Sequence, residues 1–215
     1  MTTPITNIPK PEAKRFKDGR KVFLVPIYII PPGISDEGDA ILERYWTEVR
    51  DHLNNLETSL GKAGHIFHEA IFDAGDEGMK AVEILNLKAY SLIQEMSKSG
   101  GKLEATEDKM AVHESSDWQR CLSVGLLSEK VSSTALNGYQ DSTTRRYEYI
   151  SNRIDTILKP DGIAVLFIRE DHRVQFPTDI QIFYIAPPSL ESLKQWLDDQ
   201  FKKSTDSDAA SGKTS

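Results

Sequence analysis

The chain has 215 residues, 39% hydrophobic and 27% charged, and a formal net charge of -7 from 33 acidic and 26 basic side chains. That apolar content suffices for a core and excludes a wholly disordered chain, and the length suits one domain better than two. The acidic balance argues against duplex DNA as a partner, the single cysteine, Cys121, excludes an intramolecular disulfide, and no apolar run approaches the roughly 20 residues of a membrane span, so a cytoplasmic protein without a membrane partner is expected.

Residues 1–19 carry Pro4, Pro9 and Pro11 among basic and polar residues and read as a flexible leader. Lys21-Val-Phe-Leu-Val-Pro-Ile-Tyr-Ile-Ile30 is a near-continuous apolar run, the signature of a strand buried on both faces. Pro26 cannot donate to a ladder, so the strand ends at Val25 or the proline sits at a bulge or open edge. After Pro31-Pro32-Gly33, Ser35 is a good helix cap, and Leu42, Tyr45, Trp46, Val49, Leu53, Leu56 and Leu60 form one stripe that Gly61 stops. His65 to Phe72 reads as a second strand, Asp76 to Leu85 and Leu87 to Lys98 as helices, and Lys102 to Thr106 as a short strand. Helices are expected from Asp117 to Lys130 and from Ser142 to Leu158, with a buried strand from Gly162 to Ile168 and another from Ile180 to Ala186. A last amphipathic helix starts at Ser189, and residues 203–215 read as a disordered polar tail.

Strands alternating with helices predict an α/β fold: a single domain over 20–202, with a mainly parallel or mixed sheet flanked by helices. The segment Arg169 to Asp179 is too short for a helical crossover, which makes the strands at Ile163 and Ile180 antiparallel neighbours or separates them by a bare loop.

The chain contains no glycine-rich phosphate loop and no nucleophile elbow, so chemistry is sought among the histidines. His65 and His68 precede Glu69, but in a strand a spacing of three sends the two rings to opposite faces, unlike a zinc helix. Arg169-Glu-Asp-His172 follows directly on a strand, at the end of the sheet where α/β proteins bind ligands. There His172, beside Glu170 and Asp171, has the composition of a base or metal ligand, and equally that of a solvated turn. Arg145, Arg146 and Arg153 lie on one helix with Glu148 and Asp155 and read as a salt-bridged exposed face, with RNA contact as the alternative. Cys121 reads as a small buried residue.

Arg145-Arg-Tyr-Glu-Tyr-Ile-Ser-Asn-Arg-Ile154 followed by Gly162-Ile-Ala-Val-Leu-Phe-Ile-Arg-Glu-Asp-His172 resembles the helix, strand and histidine segment of the TraB/ChaN/EreA-like superfamily. That superfamily includes proposed metal-dependent peptidases and esterases. The resemblance implies an α/β fold and, position by position, carries over His172, with Glu69 as counterpart of the family's acidic residue. After Val25 the chain offers Pro26-Ile27-Tyr28 where the family has a first histidine, and Arg169-Glu-Asp replaces Gly-Ala before the second. With that histidine missing, too few ligands remain to hold an ion and order its water.

The leading expectation is therefore a non-catalytic module that binds a protein or a small molecule at the carboxyl rim of the sheet, with no preferred cofactor. The alternative is a divergent hydrolase using a divalent metal, with His172, Glu69 and Glu170 as catalytic candidates and His172 with His68 as metal ligands. A weaker alternative is an RNA- or ribosome-associated factor working through the helix at Arg145.

Overall fold

The computed structural model describes residues 18–28, 30 and 34–211. The Pro31-Pro32-Gly33 turn, the leader up to residue 17 and the last four residues of the tail lie outside the described residues. The elements run β1 (Arg20–Ile27), α1 (Asp36–Leu60), β2 (His65–His68), α2 (Gly75–Leu85), α3 (Leu87–Lys98), β3 (Lys102–Leu103), α4 (Lys109–Ser123), α5 (Glu129–Ile157), β4 (Ile163–Arg169), β5 (Ile180–Tyr184) and α6 (Ser189–Ser211). Helix α6 thus continues into the segment read as a disordered tail. No described helix is long and apolar enough to cross a membrane.

One sheet of five strands has the order β3-β2-β4-β1-β5, and every adjacent pair is parallel. The mixed sheet with β4 and β5 as antiparallel neighbours does not form: β1 lies between them, and residues 170–179 cross over it without a helix. The length of this connection explains why. Strand β4 is about 23 Å long at 3.3 Å per residue; a helical return over 170–179 would reach only about 15 Å, whereas an extended one reaches about 33 Å.

The two faces of the sheet bury separate cores. Phe23, Val25, Ile66, Val165 and Phe167 pack against α1, α2, α3 and α6 through residues such as Tyr45, Trp46, Val49, Leu92 and Leu193. Val22, Leu24, Phe67, Ala164, Leu166 and Ile168 pack against Tyr147, Ile150 and Ile154 of α5, with Val174 and Phe176 of the crossover closing the side. Strands covered on both sides must be apolar at successive positions, which is why β1 and β4 read as unbroken runs.

Strand β1 does not stop at Val25. Leu24 accepts a hydrogen bond from the Ile185 N–H, so even-numbered β1 positions face β5, and Pro26 falls just beyond the end of that strand. Its missing N–H therefore removes no ladder bond. The Pro26 carbonyl, left without a strand partner, accepts instead from the buried Tyr45 hydroxyl. Strand β2 is shorter than the apolar run suggests because Ala70 adopts a positive φ of 65° and turns the chain away.

Helices α4 and α5 differ most from expectation. Asp108 caps α4, Gly125 takes a positive φ of 68° between the helices, and Ser128 caps α5. The interface between them is built on small side chains: Ala111 and Ser115 of α4 and Ala135 and Ser142 of α5 are buried, the Ser115 and Thr143 hydroxyls bond across it at 3.2 Å, and Trp118 packs against Gly138. Such an interface gives little apolar periodicity to read. The first part of α5, before Arg146, packs on α4 rather than on the sheet, so the pair stands as a hairpin roughly 25 Å beyond the carboxyl rim. Cys121 is exposed near its tip, not buried.

Candidate binding site at the carboxyl rim of the sheet

Four charged side chains meet where β2 and β4 end. Arg146 of α5 is 7% exposed and donates through Nε and Nη2 to both oxygens of Glu107, at 2.8 and 3.0 Å. Glu107, itself 2% exposed, also accepts from the Ala70 N–H at 2.8 Å. Glu69 accepts from the Arg169 N–H and Nε, both at 2.9 Å, and from Arg146 Nη2 at 3.5 Å. Two carboxylates and two guanidinium groups cancel, which is what lets charge persist in a site this dry. The cluster pins the turn after β2, the loop before α4, the middle of α5 and the end of β4 to one another. Arg146 is thus no part of an exposed salt-bridged face, although Arg145 is, pairing with Glu114 of α4 at 2.7 Å.

Sequence reasoning singled out Glu69, read the buried Arg146 as part of an exposed face and missed Glu107. The signal was present: Arg146, Ile150 and Ile154 follow one another four apart, so a charge stands inside the apolar stripe of α5.

The four candidate residues are placed apart. His68 is buried and its ring stacks on Phe167, in the core beneath α1. The Glu69 carbonyl accepts from its Nδ1, so Nε2 presents a lone pair and has no partner. Burial pushes this imidazole down to about 4, against the opposing pull of the Glu69 carbonyl and Glu107. His172 lies in the crossover, edge-on to Phe176 on the α5 side, with Nδ1 accepting from the Val174 N–H. Burial also lowers its pKa, opposed by Glu69 and Asp171. Glu170 points elsewhere, accepting from Tyr28 at 2.8 Å, from Tyr184 at 2.9 Å and from Lys194 of α6. Burial works against its charged form, but Lys194 and the two hydroxyls outweigh it and hold the carboxyl below the usual range.

These residues do not fit a divalent metal. Both oxygens of Glu69 are engaged by N–H donors, His68 and His172 pack on opposite faces of the sheet, and Glu170 is held by a lysine and two phenols. Among the described residues no three acidic, histidine or cysteine side chains are placed to hold an ion.

Beside the charged cluster runs a groove of about 900 Å³. Its floor is α5 from Leu136 to Asn152, about 24 Å of helix, and its far wall is the crossover between Asp171 and Gln175. Tyr139 and Tyr147 offer hydroxyls, those of Thr143 and Ser151 being already bonded to the Ser115 hydroxyl and the Gln175 carbonyl, and Glu148, Asp171 and Arg173 make no ion pair within 4 Å among the described residues. The groove can therefore engage a ligand by hydrogen bonds and by both signs of charge.

The fold and this site define a three-layer α/β protein with a parallel sheet, a charge-locked carboxyl rim and a polar groove beside it. Comparison of the chain with models of known protein families, with curated proteins and with solved structures finds no match in any of the three.

Proposed function

We propose that the chain is a non-catalytic, cytoplasmic binding domain that holds a polar ligand or a segment of a partner protein in the groove between α5 and the β4–β5 crossover. One observation carries this reading: the acidic groups a hydrolase would need are committed to arginine, lysine and backbone donors, while charged groups of the adjacent groove remain available. The groove also lies where parallel α/β sheets bind their ligands, beyond the carboxyl ends of the strands. On this reading Glu69, Arg146, Glu107 and Arg169 form a rigid wall that positions the crossover, and Tyr147, Asp171 and Arg173 make contact.

The test is a thermal-shift screen of the full chain against small polar metabolites, run in parallel with Ser151→Trp, which fills the groove. A ligand present at 100 times its dissociation constant stabilises by about 2.7 kcal/mol, enough to move the melting point by several degrees. Stabilisation that persists in Ser151→Trp would place binding elsewhere. Zinc- or manganese-dependent hydrolysis of p-nitrophenyl acetate, lost in both His172→Ala and Glu69→Gln, would establish the divergent hydrolase instead.

A further inference from the structure

The groove beside α5 contains a phenol that the fold leaves without a partner. Tyr147 belongs to the core on the α5 face of the sheet and is only 8% exposed, yet it also lines the groove, so the part it presents there is its polar end. Among the described residues no donor or acceptor bonds its hydroxyl. Burial, and after it the charges of Glu69 and Asp171, raise its pKa against Arg169 and Arg146, so the group stays a neutral phenol. Exposed hydroxyls without a protein partner are common; one that is nine-tenths buried and still unbonded points to a partner from outside the domain.

Charge says what kind of partner. The buried rim charges behind Tyr147 cancel, two carboxylates against two guanidinium groups, whereas in the groove Glu148 and Asp171 are set against Arg173 alone. Asp171, Arg173 and Gln175, alternate residues of the crossover, line the groove while Val174 between them is buried. Asp171 acts on the phenol more strongly than Arg173 does, and the Gln175 carbonyl accepts from the Ser151 hydroxyl. The crossover and α5 therefore descend together, with Asp171 at the level of Tyr147, Gln175 at that of Ser151 and Arg173 between. Above Tyr147 the lining residues, Leu136, Tyr139, Gln140, Thr143 and Thr144, carry no charge.

We propose that the groove takes a ligand with a single primary ammonium group, seated on Tyr147 Oη and the Asp171 carboxylate with Glu148 as the second carboxylate, and with a neutral remainder lying along α5. This rests on the groove being the binding site, as proposed above. An ammonium brings three N–H donors and no acceptor, which suits one phenol oxygen and two carboxylates. A polyamine suits it less, because a second ammonium would meet Arg173 on one side and only uncharged residues on the other. A lysine side chain of an extended polypeptide, or a small monoamine, carries the required single charge, and the net charge of -7 favours its approach.

Amide spectra of the isotope-labelled full chain, titrated with Nα-acetyl-lysine methylamide, read the seat directly. Shifts at Tyr147, Ser151 and Asp171 with a dissociation constant on the order of 1 mM are expected for a ligand of this size. The norleucine analogue, which lacks only the ammonium, should bind at least about tenfold more weakly, as should the lysine derivative to Tyr147→Phe and to Asp171→Asn. Neither side chain has a bonding partner in the domain, so both variants should keep the parent melting curve, which a merely structural tyrosine would not allow. n-Butylamine separates the sources: binding as tight as that of the lysine derivative assigns a small monoamine, and binding about tenfold weaker assigns a polypeptide lysine. Tighter binding in a chain with Lys10, Lys14 and Lys17 changed to Gln would show one of the chain's own lysines competing for the same seat. Equal binding of the lysine and norleucine derivatives, or binding indifferent to Tyr147→Phe and Asp171→Asn, would overturn the inference. Shifts at these amides with Nα-acetyl-glutamate methylamide and not with the lysine derivative would overturn it while leaving the groove as the binding site; no shift with any probe to about 20 mM would remove both.

Discussion

Replacing Arg146 by Met tests whether the buried cluster is held by charge pairing or only by shape. Methionine follows the arginine stem and fills much of its volume, so the change chiefly removes the guanidinium. Glu107 then loses both bonds to Nε and Nη2 and keeps only the Ala70 N–H, while Glu69 keeps its two bonds from Arg169. Removing one partner of a buried ion pair costs about 3–5 kcal/mol, because the other charge stays desolvated and uncompensated. Set against the ~5–15 kcal/mol that separates a folded domain from its unfolded state, this is a large fraction. Urea unfolding at pH 7, followed by circular dichroism, should show a lower midpoint with an unchanged slope. Adding Glu107→Leu should restore part of the loss, since a pair replaced on both sides by apolar groups strands no charge, leaving about 1–3 kcal/mol for the orphaned Ala70 N–H. A loss below about 1 kcal/mol in Arg146→Met, or single-variant losses that simply add in the double variant, would refute the reasoning.

Other outcomes follow from the same geometry. His68 is neutral when folded, with its pKa lowered to about 4, whereas the unfolded chain takes up this proton near pH 6.5; stability should therefore fall by about 3 kcal/mol as pH drops through that window. In His68→Leu, chemical denaturation at pH 7, 5.5 and 4.5 should show a flatter dependence. Tyr45→Phe leaves the Pro26 carbonyl without its donor and should cost about 1–3 kcal/mol in urea unfolding, although no apolar contact is lost. Gly38→Ala brings a methyl group to 2.2 Å from the Trp196 ring, so α1 and α6 must move apart, at about 1–3 kcal/mol and a melting point several degrees lower.

Much of this architecture was legible where burial leaves a periodic trace. The stripe of α1, the unbroken runs of β1 and β4 and the boundaries of α3 all follow from which residues must avoid water. The α4–α5 hairpin was not legible, because Ala111, Ser115, Ala135 and Ser142 bury small polar or weakly apolar surfaces that no hydrophobic pattern marks. Strand order is likewise invisible: nothing in Val22 or Ile163 says that the fourth strand separates the first from the second. For the site, Glu170 and His172 were chosen because they follow directly on a strand, His68 because it and His65 precede Glu69 in a pattern compared with zinc motifs, and Glu69 as the counterpart of the acidic residue in the superfamily the chain resembles. Proximity along the chain could not say that the rim curls Glu69 inward to the arginines and Glu170 outward to Tyr28 and Lys194. Arg146 was misread because the neighbouring Arg145 is exposed and paired, and two adjacent arginines on a helix look alike until the turn is resolved.

The position of β4 has a consequence for how the chain is made. Strand β1 pairs only with β4 and β5, and β2 only with β4 and the two-residue β3, so the first half of the sheet has almost no ladder until residue 163 has been synthesised. A ribosome adding roughly 5–20 residues per second holds the apolar β1 segment without its permanent neighbours for many seconds. During that interval α1, α2 and α3 can form, yet the surface meant for the sheet has nothing rigid to cover. The nascent protein is thus a keystone arch built from its sides inward. Premature termination anywhere before β4 would release an aggregation-prone product rather than a smaller working domain, and chaperone engagement is expected to end only when the penultimate strand emerges.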